Sequence, residues 1–131
     1  MIDVNRALIA FLATDAPLVA NVSTRVWTPR LLQSATFPAI NLFVANGRVL
    51  GEIPIIETTF QITCWHGTDA EKARETSRLL HDALHGKANQ NIPGVGFMLT
   101  AFEDVLGQDI VDPDNGWFSV LSFYRVRFRE N

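Results

Sequence analysis

Two histidines on one predicted helix are the residues best placed for chemistry. His81 and His85 lie four residues apart, which puts both imidazoles on one helical face, where they could bind a metal ion. No glutamate occupies the general-base position of the HExxH pattern, and the sequence marks no third ligand. We therefore interpret the pair as a solvated helix flank and predict no metal site.

An acidic run after residue 100 is the second candidate for metal binding. Its carboxylates lack the spacing of an EF-hand loop and the glutamate that closes one. We interpret the run as an aspartate-rich turn. Its members are Glu103, Asp104, Asp109, Asp112 and Asp114.

Catalytic patterns are weak in the rest of the sequence. Ser77 and His81 lie one helical turn apart, but no acidic partner and no oxyanion-hole signal accompany them. Gly94-Val95-Gly96 does not continue as a phosphate-binding glycine loop. The sequence therefore predicts no catalytic residue and no cofactor, and its function must come from assembly.

Three arginines alternate along the last predicted strand and so share one of its faces. They are Arg125, Arg127 and Arg129. Two interpretations stay open. The row is a solvated strand end that resists aggregation, or it is a contact surface for an acidic partner or for DNA.

Length and composition bound the class of protein. The 131 residues, 47% of them hydrophobic, suffice for one globular domain over residues 1–131. A net charge of −3 disfavours a nucleic-acid reader, because neutralising phosphates needs a basic surface. The single Cys64 excludes an internal disulfide. No run reaches the roughly 20 apolar residues of a membrane span, and the N-terminal segment lacks the basic start of a secretory signal.

A strand followed by a helix organises the centre of the chain. Residues 57–65 alternate in polarity and predict a half-buried strand. Thr68 and Glu71 match a capping box, which predicts a helix that starts there and ends at Gly86. We expect this helix to lie across the sheet. The residues predicted to be buried between them are Phe60, Ile62, Leu80, Leu84, Val120 and Val126.

Strands and turns dominate the rest of the chain, after an amphipathic helix over residues 4–14 with Asp3 as its cap. Further strands are predicted over residues 25–27, 38–44, 97–105 and 117–129, with an extension over 108–114 after a bulge at Gly107. Loops or turns are predicted over residues 28–37, 46–47, 48–56, 87–96 and 112–116. The pattern predicts an α+β domain, with a mostly antiparallel mixed β-sheet and an N-terminal and a central helix packed on it.

The order of these segments resembles a known family. The segments that carry the resemblance are FPAINLF, then TTFQITCWHGTDAEKARETSRLLHDAL, then IVDPDNGWFSVLSFYRVRF. The chain resembles the small tail terminator and tail completion proteins of long-tailed bacteriophages, the group that includes the phage lambda U protein and related head–tail joining proteins. Residues 48–56 match no pattern of this group.

The resemblance implies a structural virion protein and no enzyme. Such proteins form a ring, usually of six copies, that caps the tail tube, stops its polymerisation and docks the tail to the head connector. The implied partners are other copies of the chain, the tail tube protein, the connector protein and DNA that passes through the lumen without sequence-specific binding, with no membrane. The protein would be made in the host cytoplasm and reside at the head-proximal end of the tail.

Two alternatives stay open beside this assignment. One is a stopper-type connector protein on the head side of the same joint. The other, from a different class, is a small cytoplasmic ligand-binding domain or enzyme that uses the flank of His81 and His85.

The irregular segments are predicted to form the contacts of the ring. Residues 28–37 and 48–56 combine apolar side chains with few charges, which suits a surface that becomes covered. The alternative is that these side chains fold back onto the sheet as core. The predicted interface residues are Leu31, Leu32, Leu50, Ile53, Ile55, Arg125, Arg127 and Arg129.

Overall fold

A six-stranded mixed sheet forms the centre of the structure, a computed structural model that describes residues 2–31, 34 and 36–130. The strands lie in the order β1-β2-β3-β6-β5-β4. Their bounds are β1 Val26–Trp27, β2 Ala39–Val49, β3 Ile55–His66, β4 Ala88–Ile92, β5 Gly96–Val111 and β6 Phe118–Arg129. Only β1 and β2 run parallel to each other; the other neighbouring pairs are antiparallel.

The three helices in the described part of the chain are α1 (Val4–Leu12), α2 (Ala16–Val22) and α3 (Ala70–Leu84). An aspartate begins each of them. Asp3 accepts from the backbone N–H of Arg6, and Asp15 from that of Leu18. Together with the sheet, these helices confirm the predicted α+β class, in which strands outweigh helices.

All three helices contribute to one core on the same side of the sheet, which we call the inner face. The core joins Leu8 of α1, Leu18 of α2 and Leu80 of α3 to Phe60 and Phe128 of the central strands. Five of the six residues predicted to be buried together lie in this core, and Val120 is buried outside it. Phe60, Ile62, Leu80, Leu84, Val120 and Val126 are all buried.

The predicted capping box at Thr68 is wrong, because Asp69 takes the cap position. The Asp69 carboxylate accepts from the backbone N–H groups of Glu71 and Lys72, at 2.9 and 3.4 Å. An ionised carboxylate is favoured at the positive end of a helix. The Glu71 carboxylate turns instead to Arg74, at 2.9 Å. The helix ends at Leu84 with His85 as its C-cap, and Gly86 follows in the left-handed conformation, with a φ of +78°, as predicted.

Two predicted connections are also wrong. Asn46 and Gly47 lie inside β2, which continues to Val49, so the turn falls later, around Gly51 with its φ of +61°. Residues 87–96 are not a loop, because β4 pairs there with β5. This strand is mostly exposed and polar, so it carries no alternation of apolar residues by which to recognise it.

Candidate assembly surfaces

The side of the sheet opposite the helices, the outer face, is only partly covered. Phe43 of β2, Trp65 of β3, and Leu121 and Phe123 of β6 lie on it and are half-buried. Residues 28–31 cover one corner, where the Asn41 side chain donates to the Pro29 carbonyl at 3.0 Å. A sheet face with this much half-buried apolar surface is suited to contact with another protein.

The three arginines of β6 lie on the outer face and have partners there. Arg127 pairs with Glu57 at 2.6 Å, and Arg125 with Asp104 at 3.3 Å. The guanidinium of Arg129 stacks over the ring of Phe97, 4.6 Å from its centre. The hydrogen bond from Arg127 holds the pKa of the Glu57 carboxyl below its ordinary value. The row is therefore a set of ion pairs and stacked groups, with much of its charge balanced.

The turn between β2 and β3 carries the most exposed of the predicted apolar contact residues. Ile53 is 57% exposed, whereas Leu50 and Ile55 are half-buried. The turn is tight, because the Leu50 N–H donates to the Ile55 carbonyl at 3.0 Å. Leu31 is half-buried, and Leu32 lies outside the described residues.

A second apolar surface, on β5, was not predicted. Its exposed members, which we call the β5 ridge, are Phe102, Val105, Leu106, Ile110 and Val111. They are distributed over both faces of the strand, because Phe102 and Val105 pair with outer-face residues of β6, whereas Leu106 lines a cleft beside α3. Leu106 is 81% exposed, the highest value among the large hydrophobic residues that are exposed in the described chain. The adjacent pair Val105-Leu106 breaks the alternation of the strand and was the one signal of this surface in the sequence.

His81 of α3 and the C-cap residue His85 both contact β5. The Nδ1 atom of His81 lies 2.7 Å from a Glu103 carboxylate oxygen, and the Glu103 backbone N–H donates to His85 Nδ1 at 2.9 Å. Their rings stack with centres 4.4 Å apart. Among the described residues, no group of three His, Cys, Asp or Glu side chains is placed to hold a metal ion.

Only the end of the acidic run forms the predicted turn: Glu103, Asp104 and Asp109 lie within β5, and Asp112 and Asp114 lie in the turn. The Asp112 side chain accepts from the backbone N–H of Asp114 at 2.8 Å, and the Asn115 side chain from that of Trp117 at 2.9 Å. These side chains hold their own backbone, as is usual for Asn and Asp in turns. This segment therefore ends β5 and starts β6.

The described surface thus carries the half-buried outer face, the exposed β2–β3 turn and the β5 ridge. The family model described as "Tail completion protein gp17" matches residues 6–129, so the chain belongs to that family. The resemblance found in the sequence is thereby confirmed, and the protein is a structural component of a bacteriophage tail.

Among the solved structures that match is one that covers nearly the whole chain. It is a chain of the "Virion of native gene transfer agent (GTA) particle", 19% identical, with 95% of this chain and 93% of that chain covered at a TM-score of 0.70. The two chains share a fold. A search of curated proteins gives no match. No helix among the described residues is long and apolar enough to cross a membrane.

Proposed function

We propose that this protein closes the head-proximal end of a phage tail as a ring of identical copies, six in number as the resemblance implies. The ring caps the tail tube, ends its polymerisation and joins the tail to the head connector. The observation that carries this proposal is membership of the tail completion family over residues 6–129. The whole-chain likeness in fold to a virion protein supports it.

The surfaces of the monomer suit this role. A ring of identical copies needs two different patches on each copy, one that meets the other on its neighbour. Its two rims then meet the tail tube protein and the connector protein. The β2–β3 turn with Ile53 lies at one end of the strands, and we propose it as a rim contact together with Leu50, Ile55 and the arginine row.

The charge balance suits a conduit for DNA that lets the duplex pass. The net charge is −3, and Arg125 and Arg127 are already paired with carboxylates of the same chain. Strong binding to phosphates would need unpaired basic groups. DNA therefore passes without sequence-specific contacts.

The decisive experiment removes the gene from the producing phage or phage-derived particle and examines the products by electron microscopy. We expect tails of abnormal length and unjoined heads, because the growing tube lacks its cap. Complementation with the wild-type gene should restore joined particles. Normal joined particles with tails of normal length in the deletion strain would refute the proposal.

A separate measurement tests the rim contact. The double variant Leu50→Ser, Ile53→Ser should stay folded by circular dichroism and fail to complement the deletion, because it removes apolar contact area from the turn. Full complementation by this variant would remove the turn from the contact surface while leaving the ring in place.

A further inference from the structure

Leu106 is displayed on the edge of the sheet by a special local structure. The pairing of β5 with β6 shifts register between Glu103 and Val105 and again between Val105 and Gln108. Such bulges re-aim side chains. Gly107 lies so close to β6 that an added Cβ would come within 2.6 Å of a Val120 methyl carbon. Gly107 therefore allows β5 to lie close to Val120 at this point, while the neighbouring Leu106 is exposed.

The same edge is poorly suited to adding a further strand. Among the described residues, β4 pairs with β5 only as far as Thr100, and the remaining length of β5 has β6 as its one strand neighbour. Bulges and charges such as Asp104 and Asp109 protect an edge of this kind from backbone pairing. A partner of the β5 ridge must therefore bind its side chains.

An apolar pocket lies at the opposite edge of the sheet, between α1, α2 and β1. Leu12, Leu18 and Val22 are buried among its lining, and Val19 lies at its mouth, 37% exposed. The pocket has a volume of about 210 Å³. An apolar cavity of about 150 Å³ accommodates a benzene molecule, so this one is large enough for one leucine side chain.

The pocket and the leucine lie at the same level along the strands. The register runs across the sheet from Val26 through Ile40, Cys64 and Val120 to Asp109, three residues from Leu106. Val26 lines the pocket, and Leu106 lines a cleft beside α3, so both features lie on the helical side of the sheet. Two copies placed side by side in the same orientation would therefore bring Leu106 of one copy next to the pocket of the other.

Charge favours the same arrangement. Residues 16–51, which supply most of the pocket and strands β1 and β2, contain three arginines and no acidic residue. Residues 88–124, which supply β4, β5 and most of β6, contain five acidic residues and no basic one. Part of this difference is neutralised within each copy, because Asp104 pairs with Arg125 and Asp109 with Arg74. The negative charge that remains, on Asp112 and Asp114, favours the arginine-bearing edge of a neighbour over a second copy of the same edge.

We propose that Leu106 of one copy enters the apolar pocket between α1 and α2 of the next copy, and that this is the lateral contact of the ring. The proposal rests on the proposed function, since it names the contact by which that ring closes. The two patches differ, so the contact is heterologous, as a ring requires.

The test uses substitutions on both sides of the contact. Leu106→Lys and Val19→Glu should each weaken the contact roughly ten- to a hundredfold, because each places a charge against an apolar partner. Light scattering should then show a smaller mass than for the wild type, with circular dichroism unchanged. Leu106→Met is the matched control, which keeps an apolar side chain of similar volume and should keep the wild-type mass.

The double variant Leu106→Lys, Val19→Glu makes the test specific. Each contact would then bring a lysine against a glutamate, and the mass should return towards that of the wild type, more so at low salt. A wild-type mass for Leu106→Lys alone would refute the contact and leave the ring intact. If both single variants are folded and have a reduced mass, and the double variant does not recover the wild-type mass, Leu106 contacts a surface other than this pocket.

A wild type that stays monomeric in solution and on assembled particles would refute the ring, and this contact with it. Electron microscopy of the particles counts the copies at the end of the tail independently of the substitutions. Failure of the ring and failure of the Leu106 contact are therefore separate results.

Discussion

Leu80→Ala tests the packing of α3 on the sheet. Leu80 is fully buried in the core that joins the helices to the central strands. The substitution removes three carbon atoms. At about 0.8 kcal/mol for each buried carbon, the transfer loss is about 2.4 kcal/mol. The cavity that remains raises the cost, so we expect a loss of about 2.5 to 5 kcal/mol in the free energy of unfolding.

Thermal unfolding followed by circular dichroism measures this loss. For a chain of this length about 1 kcal/mol corresponds to roughly 4 °C, which predicts a fall in Tm of roughly 10 to 20 °C. Leu79→Ala is the matched control, because Leu79 is only partly buried at the margin of the same core. It should cost less than half as much. A Leu80→Ala melt within about two degrees of the wild type would refute the packing described here. Because assembly stabilises the folded state, both variants are compared with the wild type at equal, low protein concentration.

Three further predictions concern the bulge, the ion pair and metals. Gly107→Ala should destabilise by about 1–3 kcal/mol in urea unfolding, since its Cβ meets Val120, and combination with Val120→Ala should cost less than the sum of the two single losses. The wild type should have a higher free energy of unfolding than Glu57→Gln at neutral pH, because Arg127 lowers the pKa of Glu57 in the folded state. This difference should disappear as the pH falls below about 4.3. A difference that does not change with pH would refute the pairing. Chelators should leave melting and mass unchanged, whereas rings lost to chelator and restored by one divalent ion would reopen the histidine and aspartate sites.

Patterns in the sequence predicted those elements whose conformation depends on residues within the same segment. β3 and β6 alternate in polarity along their lengths, because one face is packed by helices and the other is not. Asp3, a residue type that favours the N-cap position, correctly predicted the start of α1. In α2, Pro17 lies in the first turn, where proline favours the start of a helix.

The unpredicted elements depend on residues distant in sequence. Nothing in the polar residues 88–92 indicates a strand, which forms because β5 offers it an edge. The exposure of Leu106 likewise depends on how β5 pairs with β6, through two shifts of register. The sequence therefore predicted exposed apolar residues in the irregular segments, and Ile53 is exposed there. It did not predict the exposure of Leu106, which depends on the bulges of β5.

The position of β6 has a consequence for how the protein folds. β6 comes last among the strands in chain order, yet it lies at the centre of the sheet between β3 and β5. The Thr58 hydroxyl donates to the Val126 carbonyl across 68 residues of chain. Closing so long a loop costs entropy before any contact repays it, so topologies of this kind fold slowly for their size. During synthesis β2 and β3 must wait for β6 to leave the ribosome, and β3 keeps an unpaired apolar edge until then. Copies of the chain made close together are exposed to mispairing during that interval, and a pulse-labelled chain should become resistant to protease only after residue 129 has emerged.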